Sequence, residues 1–190
     1  LTEYAAGNLP YSQALCVSAH LSFNSKSRDI VDKLDHVGAL LFSENSNNFS
    51  SESTNSDLSD SFKKETLESI FSSTADDDEN NHTKCNTLSH PNVPYCLEKL
   101  IPEGFDKLNW KNVGRSMRIS HLDTGDSERE VALHRISPGA KIANHDHRGQ
   151  EITVVLKGSF SDEQGLYMPG DFIVKESGEK HKPIVSKDSE

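Results

Sequence analysis

The chain has 190 residues, 33% of them hydrophobic, with a formal net charge of −10 and a mean hydropathy of −0.64. That length leaves room for one or two small domains, and so polar a composition implies a portion outside any compact core. The acidic balance excludes a phosphate-tracking surface, which needs clustered Lys and Arg, and no run of about eighteen apolar residues exists to span a membrane.

The opening LTEYAAGNLP has neither a basic n-region nor an apolar h-region, so no secretory signal is expected. It lacks an initiator Met, and the far end stops at Lys187-Asp188-Ser189-Glu190, soon after His181; the chain is expected to be a fragment at both ends, its C-terminal domain truncated. Residues 1–42 read as a small helical domain. Pro10 sits where a first helical turn tolerates it, and Leu15, Val17, Ala19 and Leu21 supply apolar faces. Ser27 is the expected cap of a second helix, in which Ile30, Val31, Leu34, Val37 and Leu41 recur at helical spacing.

Residues 43–57, SENSNNFSSESTNSD, offer almost nothing to bury and read as a disordered linker. A further amphipathic helix is expected over 58–74, with Leu58, Phe62, Leu67, Ile70 and Phe71 on its apolar side. Too short to fold alone, it must dock on the helices, on the next domain or on a partner. A second polar linker spans 75–92, and a composition shift at Pro91-Asn92-Val93-Pro94 opens a domain over 93–190. A short helix over 95–100 is followed by strands around 117–119, 131–136, 142–143, 152–156, 172–174 and 184–185. The three cysteines, Cys16, Cys85 and Cys96, are odd in number and widely spaced, giving neither a disulfide framework nor a zinc pair. A reducing, cytoplasmic location is the default.

Most of the chemistry lies in 139–158, GAKIANHDHRGQEITVVLKG. On an extended backbone His145 and His147 share a face, so both imidazoles can reach one ion. Glu151 follows after a turn at Arg148-Gly149-Gln150 and opens an apolar run. Two nitrogens and one carboxylate on a rigid β scaffold suit a divalent metal. His181, beyond the Pro169-Gly170-Asp171 turn, is the fourth candidate ligand. The plainer alternative makes His145 and His147 surface residues of a loop. His36, His82, His90 and His121 are isolated and read as surface or strand positions; His134, alternating with Val131, Leu133 and Ile136, can also stand behind the ligands. Asp162 and Glu163 read as solvated residues of a hairpin turn.

The spacing G-x5-H-x-H-x3-E-x6-G, with a later P-G-D turn and His, resembles the cupin signature, which implies a jelly-roll-like β-barrel. Two longer stretches, YAAGNLPYSQALCVSAHLSF at 4–23 and VPYCLEKLIPEGFDKLNW at 93–110, extend the likeness. With the cupin motif, FSDEQGLYMPGDF and His181-Lys182-Pro183, they resemble the ChrR-type anti-sigma factors, which join a helical, zinc-binding anti-sigma domain to a cupin-like domain. The resemblance implies an α plus all-β architecture: a small helical bundle, a flexible linker and a C-terminal cupin barrel. It implies an extracytoplasmic-function sigma factor as partner, released on oxidative stress; the net charge of −10 and the lack of an apolar span argue against direct nucleic-acid or membrane contact. It also implies zinc in the cupin domain, although iron, manganese and nickel suit the same donors.

One departure concerns the N-terminal zinc site, where the family follows the ligand His with H-x3-C-x2-C. His20 is in place, but the cysteine positions hold Asn24 and Ser27, neither of them a thiolate, so zinc is expected to be absent there. A rearranged Cys16-x3-His20 pair is the alternative, against a core role for Cys16. The competing class is a metalloenzyme, since a three-His, one-Glu cupin site with an open position also builds iron or manganese dioxygenases. The N-terminal helical domain favours the regulator, and no nucleophile motif, phosphate loop or other catalytic constellation accompanies the site.

Overall fold

The structure, a computed structural model, describes residues 1–48 and 93–187, with the side chains of 43–48 excepted. The described residues 1–38 and 93–187 belong to one compact unit, and the helical residues 39–48 belong to another. The expected helix over 58–74, with Leu58, Phe62, Leu67, Ile70 and Phe71, lies outside the described residues, as does Cys85.

Three helices open the chain. α1 (Thr2–Ala5) is a single turn, tied to the next helix by a 2.8 Å hydrogen bond between the Tyr4 and Ser18 hydroxyls. α2 (Tyr11–Phe23) starts after Pro10, where a missing N–H leaves no helical bond unmade. Ser12, Leu15 and Ala19, three and four residues apart, form its buried face together with Leu21. α3 (Ser25–Asn48) follows after one extended residue, Asn24. The Asn24 carboxamide oxygen accepts the Ser27 N–H at 3.0 Å, so Asn24 caps α3, and Ser27, the cap expected from the sequence, lies in its first turn. Only a residue outside the helical backbone can aim its side chain back at these free amides, and Asn24 alone is extended there. α3 continues to Asn48, past residue 43 where composition places a linker, since adding a residue to an existing helix needs only one more hydrogen bond.

The β-domain is antiparallel throughout. β1 (Lys111–Val113), β2 (Met117–Leu122) and β3 (Val131–Ile136) form one meander. β4 (Glu151–Val154) pairs with β7 (Phe172–Lys175), and the hairpin of β5 (Phe160–Asp162) and β6 (Gly165–Tyr167) pairs through β5 with β8 (Ile184–Val185). The strand expected at 142–143 is reduced to a single bridge, Lys141 to Ile184. The short helix expected over 95–100 is a 3-10 turn at Tyr95–Leu97.

One core joins helix and sheet. Leu15 of α2 is buried with Val93, Leu97, Ile101 and Leu122, and Ile101 is only 1% exposed. Burying one such side chain is worth about 1.5–3 kcal/mol, so the Leu15 contact is a substantial link between α2 and the β-domain. At the other end of α2's first turn, the Ser12 hydroxyl donates to Asp126 at 3.0 Å. The backbone N–H of Glu128, with Ser12 and Arg129, holds that carboxyl below its ordinary value against a smaller opposing effect of desolvation. Thus α2 packs as part of the β-domain's own core.

Candidate functional site

The site is assembled by the turn after β7 folding back on the segment before β4. His145 and His181 pair backbone to backbone, with N···O distances of 3.2 and 3.1 Å, and this opposition puts their side chains on one face. Asp146 is exposed while His145 and His147 are half-buried, so the alternation read from the sequence holds although no regular strand forms there. The Gly178 N–H donates to the His147 carbonyl at 2.9 Å and the Ser177 hydroxyl to that of Arg148 at 2.8 Å, fixing this segment from the other side. Glu151 opens β4 directly opposite Lys175.

Three imidazoles and one carboxylate converge. The Nε2 atoms of His145 and His147 lie 3.1 and 3.2 Å from that of His181. Glu151 Oε2 is 2.9 Å from His147 Nε2 and 3.6 Å from His181 Nε2, yet it is a buried oxygen without a hydrogen-bond partner. The His145 Nδ1 hydrogen goes to the Ala143 carbonyl at 2.9 Å, which leaves Nε2 to present a lone pair inward. A single hydrogen on His181 Nε2 cannot serve both facing nitrogens. Burial, with His145 and His147 nearby, holds the His181 imidazole below its ordinary value against the pull of Glu151, so the ring is the neutral, ligand form near pH 7. Ligand atoms about 2.1 Å from one ion stand about 2.9–3.4 Å apart for right-angled to tetrahedral coordination. The three imidazole nitrogens, all within 4.8 Å of one another, could hold one metal ion; Glu151 Oε2, close to His147 and His181, falls outside that mutual group.

The sequence reading places Asp162 and Glu163 together as solvated hairpin residues. The hairpin forms and Glu163 is exposed, but the Asp162 side chain is only 1% exposed and lies 3.4 Å from Lys175 Nζ. Lys175, itself 2% exposed, also donates to Gln164 Oε1 at 2.7 Å and Glu179 Oε1 at 3.1 Å. Burial opposes both charges. Hydrogen bonds from the Gln164 N–H and the Tyr167 hydroxyl, with the Lys175 charge, still hold the Asp162 carboxyl low, while Glu179 and Asp162 hold the Lys175 ammonium high. Nothing in the local sequence marks this cluster; it exists because the fold brings Asp162 of β5 beside Lys175 of β7, strands of two different sheets. His134 on β3 is exposed and is not among the converging residues.

The second expected constellation behaves differently. His20 Nδ1 lies 2.6 Å from the Gly170 carbonyl and Nε2 lies 2.9 Å from the Ser27 hydroxyl. A carbonyl only accepts, so Nδ1 carries the hydrogen, and in the neutral ring Nε2 accepts from Ser27. Both ring nitrogens are thereby engaged and the neighbouring donors are a carboxamide and a hydroxyl, so His20, Asn24 and Ser27 do not fit zinc. Cys16 is half-buried in α2, and burial, with Cys96 nearby, pushes its thiol up, as for a packed thiol rather than a ligand.

Residues 103–190 match the family described as the ChrR cupin-like domain. Over 98% of its length the chain is 28% identical to the anti-sigma-E factor ChrR of Cereibacter sphaeroides, covering 81% of that protein. A chain of the crystal structure of Rhodobacter sphaeroides SigE in complex with the anti-sigma ChrR superposes with a TM-score of 0.70 at 28% identity, over 98% of this chain and 88% of that one. The resemblance read from the two sequence stretches therefore extends to the tertiary structure. No helix among the described residues is long and apolar enough to cross a membrane.

Proposed function

We propose, from a likeness to ChrR that runs through both halves of the chain, that this protein is an anti-sigma factor. Its helices hold an extracytoplasmic-function sigma factor, and the protein acts as a regulator rather than a catalyst, in the cytoplasm. The observation that carries this reading is the outer face of α3. Ile30 and Val37, seven residues and about two turns apart, are 47% and 52% exposed, whereas Val31 on the same helix is buried. An aliphatic stripe on a helix fits the apolar groove of a partner. The net charge of −10 suits a basic, DNA-binding protein, whose approach it accelerates. Residues 58–74 are proposed as a further docking helix through Leu58, Phe62, Leu67, Ile70 and Phe71, joined by polar linkers, one beyond the end of α3 and one over 75–92, to the helices and to a domain from 93 onward.

His145, His147, Glu151 and His181 are proposed as the ligands of one divalent metal, zinc before iron, manganese or nickel, in a β-domain closed as a cupin barrel. The ion would neutralise Glu151 and fasten two distant segments together. Release of the partner under oxidative stress would follow if oxidation or exchange of these ligands loosened the β-domain. The test is a pull-down of the full-length protein from its own host with elemental analysis of the same sample. A sigma factor recovered with about one metal per chain supports the proposal. Metal without a sigma factor moves the reading to a stand-alone cupin.

A further inference from the structure

We infer that His20 is a metal-free clasp that fastens the α2–α3 corner to the strand ladder carrying Glu151. The ladder of β4 and β7 has two faces. Glu151 and Lys175, directly paired, lie on the inner one with the histidine cluster, and Ile173 is buried on the same side. Val154 and Phe172, also paired, lie on the outer face, and there the His20 ring meets Phe172 edge-on at 5.9 Å between centroids. The same imidazole bridges α3, through Ser27, to the Gly170 carbonyl in the turn leading into β7. Gly170 in turn donates its N–H to the Val155 carbonyl at 2.8 Å, and Val155 donates to that of Asp171 at 3.2 Å, just past the end of β4.

Phe23 closes the contact. Gly170 has φ +93, and a Cβ there would stand 2.5 Å from the Phe23 Cβ, so helix and turn touch where only glycine fits. Asn24 caps α3 and holds Ser27 in reach of His20. Two side chains that cannot bind a metal thus fix the corner by hydrogen bonds. Val155, Gly170, His20 and Ser27 thus form a contiguous hydrogen-bonded chain from the end of β4 to α3. The clasp stands on geometry alone. Its use in loosening a partner's grip rests on the proposed function, and measurements on the partner-free chain separate the two.

The experiment is hydrogen exchange on the full, metal-loaded chain, with elemental analysis alongside. His20→Phe keeps a ring against Phe172 but removes both hydrogen bonds, and Ser27→Ala removes one. His20→Phe is expected to speed exchange about tenfold in both 20–28 and 168–172. Ser27→Ala is expected to speed 20–28 alone, because the bond to Gly170 remains. Metal content is expected to stay unchanged in both variants. Unaltered exchange at 168–172 in His20→Phe, unaltered exchange at 20–28 in Ser27→Ala, or the loss of a metal from either variant overturns the clasp. If His20→Phe does not fold, the Ser27→Ala result and its metal content decide.

Discussion

His145 and His181 stand 36 residues apart, yet they exchange both backbone hydrogen bonds and bring their Nε2 atoms within 3.1 Å. The backbone pairing is the cause and the side-chain proximity its consequence, because directly opposed residues of an antiparallel pair project to the same side. A metal at this point would bind the segment before β4 to the one before β8, so metal affinity and β-domain stability are expected to move together.

Removal of a ligand tests that coupling. His147→Ala deletes a nitrogen and leaves Glu151 Oε2, 2.9 Å away, with less compensation. Metal affinity is expected to fall by at least the about 10–100-fold that loss of an outer-shell partner costs. Elemental analysis after dialysis against a weak chelator checks this, and wild-type stoichiometry in the variant would remove His147 from the ligand set.

The buried Lys175 gives a separate stability prediction. Asp162→Ala leaves the ammonium without its most buried counter-charge and is expected to cost about 3–5 kcal/mol in urea unfolding of the metal-loaded protein. Pairing it with Lys175→Met is expected to recover part of that loss, since the uncompensated charge goes too. A double variant as unstable as the sum of the two single ones would show no coupling between them.

The same pair sets a pH limit. The Asp162 carboxyl is held below its ordinary value, so the folded state binds its proton less readily than the unfolded chain. Its contribution is therefore fully present above about pH 3.9 and is lost as pH falls through the folded value. Lys175, held high, contributes fully below about pH 10.4 and less as pH rises through its folded value. Denaturation of Asp162→Asn is expected to show a shallower acid limb than the native protein between about pH 4 and pH 2.

Gly170→Ala is a steric test. The new methyl meets Phe23 at a positive φ, and a loss of about 1–3 kcal/mol is expected. Combining it with Phe23→Ala is expected to relieve the contact part but not the backbone part. Thermal unfolding of the four chains separates them.

Partner binding is expected to depend on the α3 stripe. Val37→Asp should weaken co-purification with the sigma factor about tenfold or more, whereas Lys33→Gln, also exposed on α3, should leave it within about twofold. Equal recovery with Val37→Asp would assign the stripe to another surface. Leu67→Asp and Phe71→Asp make the same test of the proposed second docking helix.

Much of the site was legible because its signal is local. His145-x-His147 with Glu151 four residues on places three donors near one another through strand periodicity and one short turn. Those steps depend on neighbouring residues alone. His181 is marked more weakly, only by its place beyond the Pro169-Gly170-Asp171 turn, since its opposition to His145 exists only in the fold. The short strands β1, β5 and β6 were not legible, because three residues are too few to show a period and their pairing depends on partners elsewhere. Asp162 reads like any turn carboxylate until β7 brings Lys175 beside it.

The sequence by itself determined the donor types, the helical and β-rich portions, the polar stretch between them and the absence of thiolates at positions 24 and 27. Each of these follows from residue identity and short-range periodicity. Only the tertiary structure decided that Leu15 packs into the β-domain core, that Lys175 is buried against Asp162, and that His20 turns both nitrogens to hydrogen bonds. Those outcomes join residues up to 150 positions apart, and no local rule carries that far. Burial and opposition fix them, and these exist only once the chain has closed on itself.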